Sequence, residues 1–199
     1  MDVKLGESSQ YTPVNKITFG GDMFARTWSE ELIAEWLCSK GFVVEIGVPA
    51  GTGKGGGRKE ADVIGFKVEG NKTIIVHFEV TSRWEKAKKV IRALNSKFSP
   101  DRVDNIVKHV LSITKTQDYE YHKNVLLFTS RGILKAVKED LNDKNINVYS
   151  LDEFYYKEIL PLLKEKHRRT RTFPDSHWLL NMLLNFYNHN LLPRKPPTS

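Results

Sequence analysis

The chain has 199 residues, 31 of them lysine or arginine against 24 acids, for a formal net charge of +7. That length holds one α/β domain with a sizeable core. A make-up of 40% hydrophobic and 28% charged residues is ordinary for a water-facing protein. No apolar run reaches the length that spans a bilayer and no signal peptide opens the chain, so an intracellular, cytoplasmic location with no membrane partner is expected. The single cysteine, Cys38, excludes an internal disulfide framework and four-cysteine zinc sites. The basic balance suits a polyanionic partner.

Residues 1–20 are mixed and turn-rich and read as a leader. From Thr27 to Lys40, Trp28, Leu32, Ile33, Trp36 and Leu37 recur at helical spacing, with Thr27 or Ser29 as N-cap and Gly41 as the stop. A strand over 42–48 follows, then the basic glycine loop 49–59. Two runs rich in β-branched residues, 59–66 and 73–82, flank Glu69-Gly70-Asn71-Lys72 and predict a β-hairpin. A helix is expected from Arg83 to about Phe98 and another from about Arg102 to Thr114, with Ser99-Pro100-Asp101 breaking the pattern between them. Strand 124–129, helix 132–142, strand 146–149 and helix 151–166 continue the alternation of parallel crossover units. A basic connector, an apolar helix over 178–187 and a Pro-rich tail close the chain. The expected organisation is a leader (1–20), an α/β domain (21–166) and a C-terminal segment (167–199).

Chemistry concentrates in the hairpin. Asp62 opens its first strand and Glu79 lies deep in the second, where a carboxylate is costly unless paired or bound to metal. Alternation places Ile75, His77, Glu79 and Thr81 on one face. Two acids from adjacent strands, with the carbonyl of Val80 between Glu79 and Thr81, supply the oxygens that a hard cation such as Mg²⁺ prefers. The purely structural alternative pairs Asp62 with Arg58 or Lys59 and Glu79 with a lysine of the next helix. The glycine loop fails as a P-loop, because Gly53-Lys54 is followed by Gly55, Val48 stands where a glycine is required, and a strand comes next instead of a helix. Among the histidines, His77 stands apart only by sharing a strand face with Glu79.

In order and setting these segments resemble the PD-(D/E)XK nuclease superfamily, which includes restriction endonucleases and archaeal Holliday-junction resolvases. The helix 30–42 ending in Lys40-Gly41-Phe42, the Ala61-Asp62-Val63-Ile64 segment and Phe78-Glu79-Val80-Thr81-Ser82 carry the resemblance, over roughly residues 27–95. It implies a restriction endonuclease-like αβββαβ core, a mixed central sheet flanked by helices, here with a C-terminal helical arm. It further implies a DNA endonuclease using Mg²⁺, with Mn²⁺ able to substitute, on duplex or branched DNA. Asp62 and Glu79 become metal ligands and Glu30 an auxiliary one, with Glu31 and Glu35 as alternatives in the same helix. Thr81 occupies the place of the family's catalytic lysine and would lie near the attacking water. Lys86 or Lys89 of the next helix could supply the missing charge, or the metal could act alone. Lys54, Arg58, Lys59, Arg83 and Lys88 are the expected phosphate contacts. Two other readings stand beside this one: an inactive DNA-binding module on the same fold, and a basic interaction protein. A homodimer is expected if the helix 178–187 must find a partner for its leucines.

Overall fold

The computed structural model describes residues 27–52 and 58–195. The leader 1–20 and Lys54 lie outside them. Five strands form one mixed sheet in the order β1 (Val43–Thr52), β2 (Arg58–Glu69), β3 (Lys72–Ser82), β4 (Asp118–Phe128) and β5 (Ile146–Tyr149). β1, β2 and β3 are antiparallel neighbours, while β4 and β5 run parallel to β3. Helix α1 (Trp28–Ser39) precedes the sheet, and α2 (Ala87–Lys97) and α3 (Pro100–Thr114) fill the crossover from β3 to β4. The expected α/β architecture, a mixed central sheet flanked by helices, is present. No helix among the described residues is long and apolar enough to cross a membrane.

The hairpin forms as its residues dictate. Gly70 turns it with φ +64°, and the register runs from Val63 opposite Phe78 to Glu69 opposite Lys72. Both faces of β3 are covered, as its near-continuous apolar content requires. On one face Val63, Val76, Phe78 and Leu126 pack with α1 and the C-terminal helices. Gly65 lets α1 approach closely, because a Cβ there would lie 3.0 Å from Leu37 Cδ1. On the opposite face Ile64, Phe66 and Ile75 pack under α3, and Val125 and Leu127 pack under α2 and α4 (Arg131–Asn142). Strand alternation puts Asp62, His77 and Glu79 on this second face.

Two boundaries differ from the sequence reading. The helix expected from Arg83 begins at Ala87, because Lys86 is extended (φ −56°, ψ 139°) and has no side-chain cap. Pro100 starts α3 instead of breaking the pattern, since the first turn has no use for its missing N–H. Only Phe98 and Ser99 separate α2 from α3, which makes a tight corner.

After β5, α5 (Leu151–Phe154), a π-helical turn (Tyr155–Ile159) and α6 (Leu160–Arg168) run on without a break, and α7 (Trp178–Asn188) is the expected C-terminal helical arm. It lies against α1 and α6, burying Leu179, Leu180, Leu184 and Tyr187 in the α1-side core. Its leucines therefore find cover within the chain. The N-terminus of α7 has no cap from its own side chains. Instead, the buried Glu35 carboxylate of α1 accepts hydrogen bonds from Leu179 N (3.0 Å) and Leu180 N (2.7 Å). A negative charge at a helix N-terminus meets both the free N–H groups and the positive end of the dipole. Glu35 is thus a cap on the far side of the sheet from Asp62 and Glu79, and drops out as a ligand. Glu35→Ala should destabilise the protein by about 2–3 kcal/mol, because it strands two buried donors, whereas Glu31→Ala should stay within about 0.5 kcal/mol. Urea unfolding of both variants checks this, and equal midpoints would remove the capping role.

Candidate functional site

Extending the hairpin register by one pair from Val63–Phe78 sets Asp62 opposite Glu79 on the α2–α3 face. The Asp62 carboxylate is held in place from the neighbouring strand, where Val80 N donates to its Oδ2 at 2.8 Å. Glu79 is fully buried. A buried carboxylate needs compensation, and the α2–α3 corner delivers it. Lys97, in the last turn of α2, places its Nζ against Glu79 Oε2 and at 3.2 Å from Asp62 Oδ2. Arg102, in the first turn of α3, brings Nη2 to 3.6 Å from Glu79 Oε1 while donating to the Glu60 carbonyl at 2.6 Å. Between them Phe98 packs on the His77 ring, with centroids 4.8 Å apart. A lysine at the C-terminal end of a helix is also favoured by the helix dipole.

His77 completes the surroundings of Glu79. Its Nε2 lies 2.9 Å from Glu79 Oε1 and its Nδ1 2.8 Å from the Tyr121 hydroxyl. Burial, then the positive charge of Arg102, pushes the His77 pKa down to about 3, so the imidazole is neutral. Burial and the nearby Glu79 charge push the Tyr121 phenol above its usual range, so it keeps its proton. Burial first, then repulsion from Glu79, raises Asp62 to about 6, against the relief that Lys97 and Val80 N provide. For Lys97, burial works against the ammonium, but Glu79 and Asp62 outweigh it and hold the pKa above the usual lysine range. The pocket of charge is therefore two carboxylates with one mobile-chain ammonium between them and one rigid guanidinium behind.

The structure brings together Asp62 and Glu79, with Val80 and Thr81 the next two residues of β3. It also adds Lys97, Arg102, His77 and Tyr121, of which only His77 was visible as a candidate. The helix lysine that reaches the two acids is Lys97, not Lys86 or Lys89. Those two are corrected on plain geometry: Lys86 is exposed ahead of the helix, and Lys89 is 73% exposed and faces Glu85. A signal for Lys97 did exist, since it follows the buried Val90 and Leu94 at spacings of seven and three, on the stripe that faces the sheet. Glu30 is buried in the first turn of α1, where its N–H donates to Thr27 Oγ1 at 3.3 Å. That helix covers the other face of the sheet, and among the described residues no three His, Cys, Asp or Glu side chains gather into a metal-holding group. Lys59 and Lys88 are exposed, Arg83 pairs with Glu85 at 3.3 Å, and Arg58 begins β2.

The donor set suits a hard divalent ion. It offers the Asp62 and Glu79 carboxylates and the Val80 carbonyl, all oxygen, with the Lys97 ammonium now between the two acids.

No family model and no curated protein matches the chain. Among solved structures it is similar to the crystal structure of AF1548, a protein of unknown function. The identity is 16% over 70% of this chain, with a TM-score of 0.38, and the chain spans 66% of that protein, just under two thirds. A likeness of that degree bears on neither site nor activity.

The Asp62 pKa has a thermodynamic consequence. Between the ordinary value of 3.8 and about 6 the folded protein binds a proton that the unfolded chain does not, so stability falls as pH rises through that window. Above it, the cost of keeping Asp62 ionised persists, at most about 3 kcal/mol. Metal-free Asp62→Asn should therefore be more stable than the wild type at pH 7, with the gap closing below about pH 4. Thermal melts in chelator across pH 4–8 read this directly; a gap that does not change with pH would contradict it.

Proposed function

We propose that the protein is a metal-dependent phosphodiesterase acting on DNA, an endonuclease of the PD-(D/E)XK kind. One observation carries the reading: Asp62 and Glu79 meet across the hairpin with the Lys97 ammonium between them, so the acid pair and a lysine coincide despite Thr81. Asp62, Glu79 and the Val80 carbonyl would hold Mg²⁺ or Mn²⁺. When bound, such an ion lowers the pKa of a coordinated water and offsets charge developing on the phosphate. Lys97 adds a positive charge at the attacked phosphate and orients the water, the role a threonine hydroxyl at position 81 cannot fill alone. Glu30 on α1 has no part in this account. The exposed Lys59, Lys88, Lys89 and Arg92 would track the DNA backbone and fix its position without reading sequence.

One feature favours a second reading, an inactive DNA-binding module. Lys97 already satisfies both carboxylates, as the purely structural pairing of Glu79 with a helix lysine requires.

Lys97→Ala separates the two. As a nuclease, the variant should lose cleavage by about 10²-fold or more while DNA binding stays within about severalfold. Its Mn²⁺ affinity should hold or tighten, because a competing cation is gone. As a module, the wild type should neither cut a panel of labelled duplex, flap and junction DNAs nor bind Mn²⁺, and Lys97→Ala should bind the ion without cutting. Asp62→Ala should abolish both cleavage and metal binding; cleavage that survives it would defeat the assignment.

A further inference from the structure

The buried contacts of Glu79 extend further than a metal-binding carboxylate needs for its charge. Glu79 can only accept hydrogen bonds, so His77 Nε2 must carry the proton in the 2.9 Å contact with Oε1. A neutral ring then leaves Nδ1 as an acceptor, and the Tyr121 hydroxyl at 2.8 Å is its donor. Every donor in this line has one acceptor. The direction is set at the Glu79 end, because the Tyr121 hydroxyl can either donate or accept. Turning the tautomer over would face two lone pairs across the Glu79 contact, while the Tyr121 hydroxyl would turn to accept from Nδ1.

The ring itself cannot swing. His77 is wholly buried on the central strand, Phe98 packs on it at 4.8 Å and Tyr121 meets it edge-on at 6.0 Å. Tyr121 sits opposite Ile75 in the β3–β4 register, two residues along the strand from His77, which is itself two from Glu79. The three side chains therefore step along one face of the sheet toward the carboxylate.

We infer that His77 and Tyr121 are positioning residues that lock the Glu79 carboxylate in the rotation a divalent cation needs, through the Tyr121 O–H to His77 to Glu79 line. The inference rests on the metal-centre reading given above. It assigns this chain a supporting shell for Glu79 in which one oxygen, Oε1, is tied down by His77 and Arg102, and Oε2 is the one offered to a cation. Partners that orient a ligand from behind typically change metal affinity about 10- to 100-fold when removed.

Two readouts on the full chain test it. The first is the His77 tautomer, from long-range ¹H–¹⁵N correlations of the metal-free protein: the wild type should show the Nε2–H form alone. The second is Mn²⁺ affinity by calorimetry. Tyr121→Phe removes one oxygen and reaches Glu79 only through the ring; it should weaken Mn²⁺ binding by about 3- to 10-fold, and His77→Leu by about 10-fold or more. His77→Gln, which keeps an N–H where Nε2 stood, should recover most of the loss. Should His77→Leu fail to fold, Tyr121→Phe and His77→Gln carry the comparison. An Nδ1–H tautomer in the wild type overturns the inference. So does unchanged Mn²⁺ affinity in Tyr121→Phe when Asp62→Ala has lost it. A wild type with the Nε2–H form that binds no Mn²⁺ defeats the metal reading itself, and this role with it.

Discussion

Everything around the site answers to one fully buried carboxylate. Glu79 sits on the central strand of the sheet, covered on its own face by two helices, and an unpaired charge there would cost several kcal/mol. The chain meets that demand from one place. Lys97 ends α2, Arg102 begins α3, and the two-residue corner between them lets both reach the same side chain. His77 supplies a neutral donor from the strand itself. The tight corner, the late start of α2 and Pro100 at the first position of α3 together place these groups.

The two cations are not equivalent. Arg102 is buried and bonded to the Glu60 carbonyl, so its guanidinium is part of the framework. Lys97 is a quarter exposed, with a flexible stem and a compact charge. Its side chain is partly open to solvent, whereas that of Arg102 is closed in. Asp62 marks the same division: it is the more open of the two acids and the one whose ionisation is resisted. Such a site is less stable than a neutral one would be, a common trade where acids are gathered for function.

Much of this was legible in the residues. The hairpin, its turn at Gly70 and the acids at Asp62 and Glu79 followed from period-two alternation and turn chemistry, which act locally. So did α1 with its Thr27 cap. What escaped was set by tertiary placement. Lys97 lay on the buried stripe of its helix, but Lys86 and Lys89, closer to Thr81 in the sequence, were the lysines considered for the missing charge. Arg102 and Tyr121 carry no local mark, since their role depends on which elements adjoin β3. Glu35 looked like a site acid because it is an acid on the right helix. Only the return of α7 to α1 shows that its partners are backbone N–H groups.

That return joins residues 144 and 145 positions apart. The half of the sheet bearing the acids is finished with β4 and α4, well before the end of the chain. The α1 face, packed also by Phe154, Ile159, Leu160 and Leu163, is completed only by residues 178–188. Trp36, Phe78 and Phe154 pack together on that face. Closure of so long a loop is entropically slow. Helix α7 thus acts as the latch on the α1 face of the core.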